Sequence, residues 1–301
     1  MASTQAWLSA IRPRTLFLSA ATTICGSAVA YSTGVFSLWI VVLTILTATL
    51  LQLLSNMAND LGDFQHGTDT TGERVGPKRT VQSGAITPKE MKGGIAVAIA
   101  ASALVGAILI YEAAQFISLW HILLFFVLGL LSIIAAITYT AGNHPYGYIG
   151  LGDIFSFVFF GLVSVVGTYF LHTHTLDFRP WLPAIGMGCF TVLVLNINNM
   201  RDIDNDIKSG KITIAGRLGY TKARYYHALV TLFGIGCFAA YSVCYSIHWY
   251  QFLYLLTSIS FIRILITIFR TEEKHLLDPF LKKTSIATLI LSVAFAVLGN
   301  W

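Results

Sequence analysis

Long apolar stretches, separated by a few polar ones, dominate this 301-residue chain. Hydrophobic windows predict helices near residues 13–32, 37–58, 93–112, 117–139, 149–171, 181–200, 225–246, 249–269 and 284–300. Apolar helices of this length can cross the roughly 30 Å of hydrocarbon in a bilayer. The pattern therefore predicts an all-α, polytopic membrane protein with about nine transmembrane helices.

Composition agrees with this prediction. Hydrophobic residues make up 55% of the chain and charged residues only 11%, whereas soluble domains contain about 25% charged residues. A soluble protein with an unusually apolar core would have shorter apolar blocks interrupted by polar faces. The net charge of +5 comes from basic residues in a few loops, without the aromatic-basic pattern of nucleic-acid binding. We expect no nucleic-acid partner, and no obligate protein partner is indicated.

The distribution of basic residues tests the helix count. With nine helices and the N-terminus on the inner side of the membrane, 18 of the 19 Lys and Arg residues fall on that side, and only Arg179 falls outside. Such asymmetry is typical of the side that faces the cytoplasm. The pattern predicts a cytoplasmic N-terminus and an external C-terminus.

Two long polar segments, 59–92 and 201–224, each follow a predicted helix that ends in Asn and Asp. Those helices are four apart in order, so a duplicated four-helix unit would explain the pattern, as in other membrane folds. We expect a single domain over 1–301, with the helices around a central cavity and the two polar segments capping it on the inner side.

Each of these segments begins with a stripe of oxygen-containing side chains. The first stripe is spaced i, i+3, i+4, i+7 and consists of Asn56, Asn59, Asp60 and Asp63. The second consists of Asn198, Asp202 and Asp206 at i, i+4, i+8, and Asp204 falls off it. These spacings place each set on one helix face. Carboxylates at the end of a membrane helix are costly unless they face water, a partner or a metal.

Magnesium prefers oxygen ligands and is often bound through a few carboxylates together with substrate phosphates. Basic residues follow both stripes, and Arg can bind phosphate oxygens through two hydrogen bonds. The expected diphosphate-binding residues are Asn56, Asn59, Arg74, Lys78, Arg79, Asn198, Arg201, Lys211 and Arg217. Alternatively, the acids are helix caps and the basic residues only set topology, but two such motifs on one membrane side favour a magnesium-diphosphate site.

The two motifs resemble those of the UbiA superfamily of intramembrane prenyltransferases. The similarity is closest to the branch that prenylates 1,4-dihydroxy-2-naphthoate in menaquinone synthesis. It involves Leu53–Asp63, 76–84, 138–146, 147–153 and Leu195–Gly219. The family's first pattern would end at Gly67, so the role of Asp69 stays open, and Asn198 replaces the first Asp of the second pattern.

The resemblance implies an enzyme of a bacterial inner membrane whose Mg²⁺ is held by Asp60, Asp63, Asp202 and Asp206. Its substrates would be a polyprenyl diphosphate and dihydroxynaphthoate. Diphosphate would leave an allylic cation, the aromatic ring would attack it, and the ring carboxyl would depart as carbon dioxide. We expect Tyr139 to stabilise the cation or polarise the aromatic substrate, and Asn143 and His144 to contact the acceptor carboxylate.

Two alternatives remain on sequence grounds, and a third lacks its motif. A sister prenyltransferase would act on 4-hydroxybenzoate or haem, and a transporter of an anionic metabolite would explain the helices and basic loops. The transporter explains the acidic stripes poorly, because carboxylates repel an anion unless a metal intervenes. A phosphatidyltransferase would need a continuous DG…AR pattern followed by two spaced acids, which this chain lacks. The sequence does not specify prenyl length or oligomeric state.

Overall fold

The computed structural model describes residues 2–69, 76 and 78–300, and this part of the chain is helical without strands. In chain order, the helices are α1 Thr4–Ile11, α2 Pro13–Tyr31, α3 Leu38–Gln65, α4 Pro88–Ala114, α5 Leu119–Thr138, α6 Gly152–Thr173, α7 Trp181–Arg201, α8 Ile203–Lys208, α9 Ile214–Tyr245, α10 Trp249–Arg270 and α11 Lys274–Gly299. The middle of α6 is a π-helix, and α10 begins as a 3₁₀-helix.

Within the described residues, eight helices are long and apolar enough to cross a membrane: α3 to α7 and α9 to α11. The 19-residue helix α2 is not among them, although its length is similar. It is rich in Ala, Ser and Thr and packs against α3, α6 and α11 in the centre of the molecule. The prediction of an all-α multi-pass membrane protein is confirmed, and nine is an approximate count because α2 is less apolar than the eight candidate spans.

Glycines allow the central helices to approach closely. A Cβ on Gly26 of α2 would lie 2.5 Å from the Val165 carbonyl oxygen of α6, and one on Gly188 of α7 would lie 2.6 Å from the Phe157 ring. Membrane helices pack through such small residues because lipid supplies little hydrophobic driving force between helices.

Three helices extend well beyond the hydrophobic windows. The helix α3 continues to Gln65, α9 begins at Ile214 with a break at Gly219, and α11 begins at Lys274. Hydropathy detects only the lipid-crossing portion, whereas a helix continues wherever its polar side chains find partners in the protein. The extension of α3 is functionally important because the whole first stripe is helical.

A central cavity of about 340 Å³ lies among α2 to α7 and α11. Asn56, Asn59 and Asn198 line one end of it, and Leu109, Phe125 and Leu171 line the part toward the opposite end of the helices. We call the end of the molecule that contains both Asn/Asp stripes the motif pole.

Candidate functional site

Asp60 holds the segment that returns to the motif pole before α4. Its carboxylate accepts hydrogen bonds from the Thr80 amide at 3.1 Å, the Thr80 hydroxyl at 2.7 Å and the Val81 amide at 3.1 Å. The side chain is buried, so these donors compensate for its lost hydration. Asp60 thereby positions the adjacent Arg79.

Arg79 connects the acids of the first motif. It donates to the Asn59 carbonyl at 2.6 Å and side-chain oxygen at 2.7 Å, and it pairs with Asp63 at 2.5 Å and Asp69 at 3.3 Å. Burial alone would lower the pKa of Arg79, but the carboxylates of Asp63 and Asp69 outweigh that effect and raise it. Asp69, whose role the sequence left open, is a buried member of this cluster.

Arg201 connects the polar residues of the second motif, as Arg79 does in the first, and is only 1% exposed. It donates two hydrogen bonds to Asp202, at 2.8 and 2.5 Å, and one to the Asn198 side chain at 2.9 Å. Its remaining nitrogen donates to Asp278, which also pairs with Arg14 at 3.0 Å. Sequence reasoning missed Asp278 and Arg14 as site residues.

Lys211 brings the two motifs together. Its ammonium lies 3.6 Å from Asp206 and 4.0 Å from Asp63, and Asp63 also accepts a 2.7 Å hydrogen bond from Tyr148. Burial raises the pKa of Asp206 to about 6, with Lys211 opposing the rise and Asp202 and Asp63 adding to it. Burial would lower the pKa of Lys211, but Asp206 and Asp63 outweigh it and raise that pKa.

The donor set at the motif pole fits a hard divalent cation. Carboxylate and amide oxygens are the ligands that magnesium prefers, and one buried oxygen of Asp206, Oδ2, accepts no hydrogen bond from the described residues. Among those residues, no three acids or histidines are close enough together to hold an ion as they stand. The basic groups of Arg79, Arg201 and Lys211 contact these acids instead, so metal binding requires them to shift.

Tyr139 lines the cavity just beyond α5. Two glycines allow its ring to lie there, because a Cβ at Gly147 would come within 2.6 Å of the ring and one at Gly152 within 3.1 Å. Burial raises the pKa of Tyr139, which keeps its hydroxyl protonated. Asn143 and His144 are exposed and do not line the cavity, because the chain turns away at Gly142, where φ is 93°.

Two of the other expected basic residues lie at the periphery. Lys78 is exposed, and Arg217 is exposed and donates to a backbone carbonyl in the loop before α6. Arg74 lies outside the described residues. Asp204 points away from the second stripe and pairs with Lys274 at the surface at 2.6 Å.

The cavity and the motif pole together suit an amphiphilic substrate. A buried set of cations and acids lies at one end of a cavity whose walls are mainly apolar. In such a water-poor site, charged groups interact more strongly than they would in water. The arrangement can bind a polyanionic head group with metal while its long apolar tail lies among the helices.

Comparison with solved structures supports the fold. A UbiA homologue from Aeropyrum pernix K1 superimposes with a TM-score of 0.71 at 18% identity, covering 95% of this chain and 98% of the other. A UbiA homologue from Archaeoglobus fulgidus, bound to GPP and Mg²⁺, has a TM-score of 0.63 at 15% identity, covering 96% of this chain and 99% of the other.

Two bacterial relatives are similar over nearly their whole length. The 1,4-dihydroxy-2-naphthoate octaprenyltransferase of Haemophilus influenzae is 44% identical, with 97% of this chain and 94% of that protein covered. The enzyme of the same name from Escherichia coli is 42% identical, with 99% and 97% covered. The model of the UbiA prenyltransferase family matches residues 19–286. The chain therefore belongs to the UbiA prenyltransferase family.

Proposed function

We propose that this protein transfers a long polyprenyl chain from polyprenyl diphosphate to 1,4-dihydroxy-2-naphthoate, with loss of the ring carboxyl as carbon dioxide. The product would be the demethylated precursor of menaquinone. The observation that supports this most directly is the meeting of the two motifs around Lys211, within 3.6 Å of Asp206 and 4.0 Å of Asp63, beside the apolar cavity. The names of the bacterial relatives support dihydroxynaphthoate as acceptor and a long prenyl donor.

We assign metal ligation to Asp63, Asp202 and Asp206, which are paired with basic side chains that can shift to the diphosphate. We assign to Asp60 the holding of the loop, because backbone amides of Thr80 and Val81 donate to its two oxygens. Magnesium, when bound, would neutralise charge on the departing diphosphate. The Mg²⁺ in the archaeal homologue supports this cofactor.

Arg79, Arg201 and Lys211 would contact the diphosphate oxygens, with Asn56, Asn59 and Asn198 orienting the head group from the cavity side. In the structure these cations contact the acids of the two motifs, and they would shift from those acids to the diphosphate when metal binds. Positive charges placed there stabilise the negative charge that develops as the carbon–oxygen bond breaks. Lys78 and Arg217, which are exposed, would act further out, during capture of the donor, and the expected role of Arg74 in diphosphate binding stays a prediction.

The allylic cation would form beside Tyr139, whose ring can stabilise positive charge across its face. The electron-rich naphthalene ring then forms a carbon–carbon bond to the prenyl carbon. In the net reaction, the ring gains the prenyl group and releases its carboxylate as carbon dioxide, so the proton count does not change. A cavity walled by apolar side chains protects the cation from water.

We place this reaction at the inner membrane of a bacterium, with the motif pole and the N-terminus in the cytoplasm and the C-terminus outside. The bacterial relatives and the eight candidate membrane-crossing helices support a multi-pass protein of that membrane. The clustering of basic residues on one side supports the orientation.

The test uses purified protein with dihydroxynaphthoate and a long prenyl diphosphate, in magnesium or in chelator. We expect carbon dioxide and prenylated product in magnesium and neither in chelator. Activity with 4-hydroxybenzoate alone would overturn the proposed acceptor and retain the mechanism. Inactivity with every acceptor, together with uptake of an anion by reconstituted vesicles, would favour a transporter.

A further inference from the structure

Tyr148, in the loop between α5 and α6, lies at the motif pole although it belongs to neither Asn/Asp stripe. Its hydroxyl donates a 2.7 Å hydrogen bond to Asp63 Oδ1 and lies 2.6 Å from the Thr68 hydroxyl. A tyrosine hydroxyl has a single proton, so Thr68 donates to Tyr148 while Tyr148 donates to Asp63. These three buried side chains form a chain of hydrogen bonds that ends on a carboxylate of the first motif.

The described partners of Asp63 differ between its two oxygens. Arg79 pairs with Oδ2 at 2.5 Å, and Lys211 lies 4.0 Å from the same oxygen, whereas Tyr148 donates to Oδ1. The two cationic side chains are attracted to a diphosphate, but the neutral Tyr148 hydroxyl is not attracted in this way. Its bond to Oδ1 can therefore persist while the cations at Oδ2 move to the substrate.

The same loop also contacts the second motif. The Ile212 amide donates to the Tyr148 carbonyl at 2.9 Å, and the Lys211 ammonium lies 5.6 Å from the centre of the Tyr148 ring. Gly150 permits this approach, because its φ is 85° and a Cβ there would come within 3.2 Å of the Ile212 carbonyl oxygen. Tyr148 thus contacts Asp63 through its hydroxyl and the segment around Lys211 through its ring and backbone.

We propose that Tyr148 is a positioning residue for the metal ligand Asp63. Its hydroxyl, oriented by Thr68, holds Oδ1 and so keeps Oδ2 directed toward the side on which Arg79 and Lys211 lie. This inference rests on the proposed function, which makes Asp63 a ligand of magnesium. Hydrogen-bond partners of this kind orient a ligating carboxylate, and their loss typically weakens metal binding or activity about 10- to 100-fold.

The first measurement is binding of premixed magnesium and inorganic diphosphate to the purified protein by titration calorimetry, with no prenyl donor or acceptor. Tyr148→Phe keeps the ring and the backbone contacts and removes only the hydroxyl. We expect this variant to bind magnesium-diphosphate roughly 10- to 100-fold more weakly than the wild type, with unchanged stoichiometry. Partial unfolding would instead lower the stoichiometry and leave the affinity of the folded fraction unchanged. That result, or equal binding by the two proteins, would overturn the inference.

Tyr169 provides a matched control, because this buried tyrosine also donates to a carboxylate. Its hydroxyl lies 2.9 Å from Asp177, at the end of the molecule opposite the motif pole. Tyr169→Phe should bind magnesium-diphosphate as tightly as the wild type does. Similar losses of affinity in Tyr148→Phe and Tyr169→Phe would point to general destabilisation and contradict the positioning role.

Turnover gives a second readout that a purely structural role would not change. In Tyr148→Phe, the KM for magnesium should rise about tenfold, while kcat at saturating magnesium should approach the wild-type value. Excess metal compensates for a misaligned ligand because it refills a weakened site. A lower kcat with an unchanged KM for magnesium would be evidence against the inference.

Thr68 tests the chain of hydrogen bonds. Thr68→Val removes the donor to Tyr148, so it should weaken magnesium-diphosphate binding less than Tyr148→Phe does. In the Tyr148→Phe background it should cause no further loss, because residues in one network have non-additive effects. Additive losses would show that Thr68 acts independently of Tyr148 and would contradict the chain.

The two proposals can fail separately. Wild-type protein that binds magnesium-diphosphate through Tyr148 but never prenylates dihydroxynaphthoate would contradict the proposed function and leave the role of Tyr148 intact. Protein that prenylates dihydroxynaphthoate with the same dependence on magnesium in the wild type and in Tyr148→Phe would contradict the role of Tyr148 alone.

Discussion

Asp202 and Asp204 are two residues apart and lie in opposite surroundings. Asp202 is buried against Arg201, whereas the Asp204 side chain is 66% exposed and pairs with Lys274. We expect Asp202→Asn to lower kcat/KM by about 10²- to 10³-fold, the size of effect seen when a group that stabilises transition-state charge is removed. Asp204→Asn should change it less than about twofold, because exposed ion pairs contribute little. Steady-state kinetics at saturating magnesium would decide, and equal losses in the two variants would contradict the assignment.

Asp60 has a different predicted role from the other acids. An asparagine there has one oxygen instead of two and cannot accept from both Thr80 and Val81 in the same way. Asp60→Asn should therefore destabilise the protein without substrate by about 1–3 kcal/mol, the cost of a buried donor left unpaired, in thermal unfolding in detergent. The Thr80→Val control removes one of the three hydrogen bonds and should cost less. Unchanged stability combined with lost magnesium dependence would instead identify Asp60 as a metal ligand.

Sequence periodicity was sufficient to identify the stripes but not their partners. The spacing of Asn56, Asn59, Asp60 and Asp63 predicts one helix face, and α3 contains all of them. Asp278 gave no such signal, because it pairs with Arg14 across 264 positions of sequence. Contacts of this kind depend on the packing of the first helices against the last one, and a local pattern does not contain that information.

At the level of elements, the hydrophobic windows misplaced the end of a helix where that helix continues beyond its lipid-crossing portion. The windows ended α3 near residue 58, but it continues to Gln65 because Asp60 and Asp63 find partners in the neighbouring loop. They also could not detect α1, which is only eight residues long.

The wall of the cavity yields a prediction about donor length. Gly129 lies on α5 about 13 Å from the motif-pole end of that helix at 1.5 Å per residue, lines the cavity, and has no atom within 4 Å of an added Cβ. The leucine side chain of Gly129→Leu would occupy cavity space that a long prenyl chain fills. It should lower kcat/KM for long donors roughly tenfold, the order expected when a filled space is overpacked, and should spare dimethylallyl diphosphate. Competition between the two donors measures this. Gly236→Leu is the matched control, because Gly236 is exposed on α9 and also has open space at its Cβ, and an equal effect there would exclude a role of cavity width.

For the whole molecule, two motifs from separate parts of the chain meet at one pole. Lys211 contacts Asp63 and Asp206, and Arg201 and Arg14 meet at Asp278. The charge pattern predicted that both motifs lie on the same membrane side, which this meeting requires. The four-helix repeat and the single domain stay predictions, as does the orientation of the poles.

A native cysteine can test that orientation. Cys244 is exposed at the end of α9 farthest from the motif pole, whereas Cys25, Cys189 and Cys237 are buried. If the motif pole faces the cytoplasm, a membrane-impermeant maleimide should label Cys244 in intact spheroplasts, and Cys244→Ser should abolish that labelling. In the Cys244→Ser background, Lys274→Cys at the motif pole should be labelled only in inverted vesicles, because Lys274 is at the start of α11 beside Asp204. The reverse pattern would place the diphosphate site outside, away from the cytoplasmic supply of its phosphorylated donor, and would contradict the topology inferred from the 18 basic residues on one side.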